Sequence, residues 1–363
     1  MRSEWGMVSA NNLGNRECSG CRQILQHLSY WKQRSASVEF GSKDPHRYVT
    51  FDVDQGGLNN IRLVFEYVAV IAAITGRSIV IPPPQPWYLL NNGPAHKRLE
   101  ESVTEFERLF ELPALEQVVS VLSTRQFINE AAGHLEIPAR FQDDNSFSSG
   151  TEFVGDDYLD WKQWLLANGR VLADWNPHET LLCYPDIKSV DADHLPIGYV
   201  DNRRLVEFPP LVSASPLIHF PSNSQSRYLG PVATMLASNN RTLPDCTRRF
   251  VKHHVRYRET IYELASELVS GLGLFNFISL HIRRGDFQYF QSKALAEETL
   301  RNIEKLAPLD YPMYIATDEN DPDFRNNFRS HRRTFFWEDL LAKFPNLEIP
   351  AAYVGPIEQI LCA

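Results

Sequence analysis

The 363-residue chain has no surplus of positive charge: 36 Lys and Arg stand against 45 Asp and Glu, a formal net charge of −9. No nucleic-acid partner is expected, because phosphate backbones are met by a basic face. Cysteine is scarce, five in all, too few for a disulfide scaffold in a chain this size. Cys18 and Cys21 form a lone CxxC with no second pair to complete a zinc tetrad. Its surroundings, Arg22 to Gln33, read as a polar helix rather than the βαβ core of a thioredoxin-like motif. Chance spacing or one local disulfide accounts for it. Long hydrophobic runs are also missing. The best, Val64 to Ile74, is interrupted by Glu66 and is too short to span a bilayer, so no membrane insertion is expected. Arg2, Glu4 and Asn11 break any signal-peptide pattern at the start. The protein is then cytosolic, or its true N-terminus lies upstream. No internal repeat or low-complexity tract is found. One N-glycosylation sequon, Asn240-Arg241-Thr242, is the sole local sign of a secretory route, and such triplets are common by chance.

What is present is ordinary soluble composition, 43% hydrophobic and 22% charged, in a chain long enough for about two domains. Residues 1–45 are polar and read as an N-terminal arm. Arg47 to Val53 (RYVTFDV) alternates and predicts a first strand. Asp54-Gln55-Gly56-Gly57 predicts a turn, Leu58 to Thr75 a helix closed by Gly76, and Ser78 to Ile81 a second strand cut off by Pro82-Pro83-Pro84. That order is a βαβ unit opening a doubly wound sheet. From Asn91 to Arg204 no period is evident, and irregular structure is expected. Leu217 to Phe220 (LIHF) predicts a short strand and Arg256 to Leu272 a helix. Phe275 to Ile282, Tyr311 to Ala316 and Phe335 to Trp337 predict strands of a second α/β domain.

In parallel sheets ligands sit outside the carboxyl ends of the strands. Three polar clusters fall there: Asp54 to Asn60, His281 to Asp286, and Thr317-Asp318-Glu319. Gly56 and Gly57 let backbone N–H groups face an anion or a sugar at a helix N-terminus. A dinucleotide fingerprint is excluded because GGLNNIR lacks its third glycine. A tight turn alone would explain both glycines but not Asn59, Asn60 and Arg62. In FISLHIRRGDF, strand alternation puts His281 and Arg283 on one side and turns Arg284 to the other. A guanidinium there is a bidentate fork for phosphate. The rival is a surface salt bridge to Asp286 or another carboxylate.

HxRRxDF after an apolar strand, GGxNNxR after the first strand and a later strand ending in ATD together resemble the GDP-fucose protein O-fucosyltransferases and their plant and fungal relatives. The resemblance spans most of residues 46–363. It implies a GT-B-like α/β fold, two Rossmann-like domains facing a cleft: 46–225 on the acceptor side and 226–363 on the nucleotide-sugar side. It implies inverting, metal-independent transfer of fucose from GDP-fucose to a protein or glycan hydroxyl, with no cofactor beyond that donor. His281 and Arg283 would hold the diphosphate, Asp318 would contact the nucleoside, and Asn59 would sit at the acceptor side. Gly56, Gly57, Asn60, Arg284 and Asp286 would complete the binding set. The endoplasmic reticulum or Golgi lumen is the implied compartment. Two departures stand out. One branch of the family carries a glutamate where this chain has Gly56, which leaves Asp54 as the nearest candidate base. The chain also stops at Ile360-Leu361-Cys362-Ala363, inside a predicted helix, where the family continues, so an incomplete second domain and donor site are expected.

Other classes compete. Asp52-Val53-Asp54 is a DxD triplet of the kind that holds a metal in GT-A enzymes, but Asp191-Ala192-Asp193 and Asp321-Pro322-Asp323 repeat the pattern in this acidic chain. Arg284-Gly285-Asp286 is an adhesion tripeptide, yet the apolar residues leading into it predict a strand end rather than a protruding loop. A UDP-rhamnose donor, or an inactive sugar-nucleotide-binding homologue, are the alternatives within the fold.

Overall fold

The computed structural model describes residues 44, 46–88, 104–142, 156–170, 180–183, 204–206, 212, 214–222, 227–228, 236–237, 243–274, 276–284, 293–304 and 310–362. The CxxC, the sequon, Asp191 to Asp193, Gly285 and Asp286 lie outside them.

β1 (Tyr48–Phe51), α1 (Leu58–Thr75) and β2 (Ser78–Ile81) follow the predicted order. Gly76 ends α1 in the left-handed region at φ 65°, its N–H reaching the Ala72 and Ala73 carbonyls. Glycine takes that conformation without a Cβ penalty. By length and composition α1 is sufficient to cross a membrane, longer than the run starting at Val64 suggests, and 67% of it is buried inside the protein. It is apolar nearly all round because it is a core helix. It packs on β1 and β2.

Where residues 91–204 are described, short elements stand in place of the expected irregular structure. Helices α2 (Phe106–Leu109) and α3 (Leu112–Glu116) lead to β3 (Val121–Ser123) and α4 (Thr124–Ala131). A capping box starts α4: the Ser123 hydroxyl accepts from Gln126 N–H and the Gln126 side chain accepts from Ser123 N–H. α5 (Ala139–Gln142), α6 (Asp156–Asn168), β4 (Thr180–Cys183) and β5 (Arg204–Val206) follow. α6 buries Trp161, Trp164 and Leu165, an i, i+3, i+4 face, against Tyr48, Phe127 and Leu217. Its polar composition and the exposed Leu159 and Leu166 blur that face in the sequence.

β6 (Leu217–Phe220) is LIHF as predicted, and the first sheet has the order β3-β2-β1-β6, parallel throughout. Buried Arg77 fixes the approach to β6 by donating to the Ser215 and Val212 carbonyls at 2.6 and 3.1 Å. β7 (Leu236–Ala237) joins β4 and β5 in a second parallel sheet, order β5-β4-β7.

After α7 (Leu243–His254) and α8 (Glu259–Leu272) comes β8 (Ile278–Ile282). α9 (Ala296–Glu304), β9 (Met313–Thr317), α10 (Pro322–His331) and β10 (Thr334–Phe335) build the third parallel sheet, order β10-β9-β8. Trp337, predicted as strand, instead starts α11 (Trp337–Leu341), because the Asp339 side chain accepts the Phe336 N–H at 3.0 Å. α12 (Ala351–Leu361) packs against α8. Every described strand pair is parallel, so the α/β expectation holds.

Candidate active site

At the carboxyl end of β1 the chain turns through Asp54, whose buried carboxylate is fully engaged. Oδ1 accepts from Gly56 N–H at 2.7 Å and Arg227 Nη2 at 2.6 Å; Oδ2 accepts from Arg227 Nε at 3.1 Å and the Ser222 hydroxyl at 3.3 Å. That organises the loop, and it leaves the candidate base little capacity for an acceptor proton. Gly56 is required by close approach: a Cβ there would lie 2.0 Å from Asn60 Nδ2 and 2.6 Å from Arg227 Nη2. A glutamate at this position could not enter without displacing the Arg227–Asp54 pair. Gly57 caps α1 with extended backbone and no side chain; its carbonyl takes the Asn60 N–H at 2.9 Å, and the Leu58 and Asn59 N–H groups are left for water or a ligand. Asn59 is exposed in that turn, and Asn60 folds back over Gly56.

Arg62, unexplained by a tight turn, leaves the loop altogether. Its Nε donates to Glu66 at 2.7 Å, and its guanidinium lies 4.9 Å from the Tyr257 ring centroid. Burial raises the Glu66 carboxyl, with Arg62 opposing.

Asp52, the other DxD carboxylate, is 3.1 Å from Lys162 Nζ and accepts the Ser222 N–H at 3.2 Å, both on Oδ2. Each aspartate thus has its own cation, and among the described residues no group of three His, Cys, Asp or Glu is arranged to hold a metal. Behind Asp52 stands His219 of β6, fully buried, with Nδ1 3.0 Å from Thr50 Oγ1 and Nε2 3.9 Å from Asp52 Oδ1. Burial lowers His219 to about 4, Asp52 opposing and Lys162 assisting, so the ring is neutral at pH 7. Lys162, His219 and Arg227 were not among the residues singled out from sequence. The one local signal was a histidine inside the otherwise apolar LIHF.

At the end of β8, Ile278, Leu280 and Ile282 pack into the core beside α9 and α10. His281 and Arg283 are exposed on the opposite side. Arg284 takes the other direction. Its Nε donates to Glu319 at 3.1 Å, another N–H bonds the Ala294 carbonyl, and its guanidinium stacks 4.3 Å over Phe324. Among the described residues its carboxylate partner is Glu319. Burial alone would raise Glu319, but the Asp321 N–H and Arg284 outweigh it and hold the carboxyl below its usual range. Asp318 accepts the Arg284 backbone N–H at 2.6 Å, tying the end of β9 to the end of β8.

A sequence profile described as GDP-fucose protein O-fucosyltransferase matches residues 48–363. Among solved structures the chain is similar to POFUT1 in its apo form, at 13% identity over 88% of this chain and 97% of that one, TM-score 0.40. A POFUT1 complex with GDP-fucose matches at 10% identity over 88% and 96%, TM-score 0.40. The fucosyltransferase NodZ from Bradyrhizobium matches at 11% identity over 87% and 85%, TM-score 0.42. No curated protein sequence matches the chain.

Proposed function

Because the chain belongs to the GDP-fucose protein O-fucosyltransferase family over residues 48–363, and is thus a glycosyltransferase, we propose that it moves fucose from GDP-fucose to Ser or Thr of a protein. The transfer inverts the anomeric centre and uses no metal ion. In this reading the fold is GT-B-like, residues 46–225 form the acceptor side and 226–363 the nucleotide side, and the protein works in the lumen of the endoplasmic reticulum or Golgi. His281 and Arg283 hold the diphosphate, Asp318 adjoins the nucleoside, and Asn59 orients the acceptor hydroxyl.

The observation that carries the site assignment is the division of labour at the end of β8. Arg284 is consumed in bracing the strand ends, while His281 and Arg283 are exposed side by side. A preorganised guanidinium stabilises charge where it builds on a departing diphosphate, and an oxocarbenium-like state leaves that charge on the nucleotide. Lys162 and Arg227 beside the DxD carboxylates support a metal-free reading. Calorimetric titration with GDP and GDP-fucose tests the proposal. Binding of both, with UDP-rhamnose weaker and EDTA without effect, is expected. Preference for UDP-rhamnose would overturn the donor, and binding without any transfer would turn the reading to an inactive homologue.

A further inference from the structure

The two carboxylates of Asp52-Val53-Asp54 differ in what they have left to offer. Both oxygens of Asp54 are filled by Gly56, Ser222 and Arg227. On Asp52, Oδ2 takes Lys162 and the Ser222 N–H, whereas Oδ1 accepts no hydrogen bond among the described residues. His219 Nε2 stands 3.9 Å from Oδ1, and that nitrogen is itself buried without a hydrogen bond among the described residues. Thr50 Oγ1 lies 3.4 Å from the Ile218 carbonyl as well as beside His219 Nδ1. When the hydroxyl donates to that carbonyl, Nδ1 carries the ring proton and Nε2 is a bare acceptor. Asp52 also lines a small pocket at the carboxyl ends of β1 and β2, walled by Pro82, Pro83, Tyr158, Trp161 and Lys162. The pocket adjoins the glycine loop through the two residues that follow Asp52. Apolar and aromatic walls around a single carboxylate suit an aliphatic hydroxyl.

Resting on the fucosyl-transfer reading, we propose that this pocket admits the acceptor hydroxyl and that Asp52 is the catalytic base. The acceptor oxygen forms its bond to the anomeric carbon as the bond from that carbon to the β-phosphate oxygen breaks, and the electron pair leaves with GDP. The hydroxyl proton passes to Asp52 Oδ1, and the resulting acid finds its acceptor in His219 Nε2. Apo hydrogen bonds of this kind are often long and tighten only in the reacting complex. Lys162, 3.1 Å away on Oδ2, holds the carboxylate in place. Around Asp52 the titratable neighbours are Lys162 and Tyr158 from α6, His219 from β6, and Tyr228 after it.

Release of GDP from GDP-fucose, with water as the acceptor, is the test. Asp52→Asn is expected to lower the turnover about 100-fold at unchanged GDP-fucose affinity. Sodium azide, which has no proton to lose, restores release in Asp52→Asn as fucosyl azide and leaves the native protein's rate unchanged. Lys162→Met, which removes the cation that positions the carboxylate, lowers the turnover at unchanged GDP-fucose affinity. The assignment is overturned by native turnover in Asp52→Asn, by a loss that azide does not restore, or by a native chain that binds GDP-fucose and releases no GDP. Should Asp52→Asn not fold, Lys162→Met decides alone, a native turnover counting against Asp52. A native chain that binds no GDP-fucose would overturn the fucosyl reading and the inference together.

Discussion

His219 has no exposed surface, and burial holds its ring neutral down to about pH 4. In the unfolded chain the same ring protonates at its ordinary value of 6.5. Between those two values the unfolded state binds more protons, so stability falls as pH drops through the window and is fully present above it. A difference of that size corresponds to roughly 3 kcal/mol lost between pH 7 and 4. Replacement by glutamine, which cannot titrate, should flatten this part of the dependence. Urea unfolding of both proteins at pH 7 and pH 4 reads the difference directly. Equal pH slopes would mean that His219 is not held neutral in the folded state. Asp54 teaches a complementary lesson at the same scale: a carboxylate next to a candidate loop becomes part of the scaffold once Arg227 and Gly56 claim both oxygens.

Two consecutive arginines at the end of one strand do different work, and the strand itself is the cause. Alternation turns Arg284 toward Phe324 and Glu319 and leaves Arg283 beside His281. Arg283→Ala should weaken GDP binding by about 10-fold or more, with less loss of stability than Arg284→Ala. Arg284→Ala should lower stability by about 2 kcal/mol, because it strips a charge-assisted brace and leaves Glu319 without its cation. Calorimetric titration and urea unfolding of the pair separate the two roles; the reverse pattern would exchange them. That alternation was readable in FISLHIRRGDF, as were α1 and β2, whose apolar periods and glycine stop are local signals. What was not readable depended on short elements or on distant partners. α2, α3 and α5 are each one turn or little more, too short to show a period. The Ser123-x-x-Gln126 capping box was a legible start signal for α4 that the lack of a period around it concealed. Arg227 meets Asp54 across 173 residues, and no local pattern announces such a pair.

At the scale of the molecule, the helix that follows the glycine loop also reaches the last helix described, α12. Arg62 of α1 reaches Gln359 of α12 at 3.5 Å, and the Tyr257 hydroxyl donates to the same Gln359 oxygen at 2.6 Å. At the neighbouring position of the same helix, the Tyr314 hydroxyl of β9 donates to Glu358. The segment after α2 is stitched to the start of α8 as well: Glu111 N–H bonds the Arg256 carbonyl and Arg258 N–H the Leu109 carbonyl, both at 2.9 Å. These contacts join the layer over the first sheet to the layer over the third, so the two should unfold together. Scanning calorimetry of the native chain is expected to give one endotherm whose van't Hoff and calorimetric enthalpies agree. Tyr257→Phe with Gln359→Ala removes the shared hydrogen bonds while leaving Glu66 paired with Arg62. At about 1 kcal/mol per bond, the double change should cost about 2 kcal/mol of coupling and push the van't Hoff enthalpy below the calorimetric one. GDP at about 100 times its dissociation constant adds about 2.7 kcal/mol to whatever unit binds it. In the native protein the whole endotherm should move with GDP, whereas in the double variant only the later-unfolding part should. An endotherm that stays single and shifts as a whole in the variant would place the coupling elsewhere, in the apolar packing of α8 on α12.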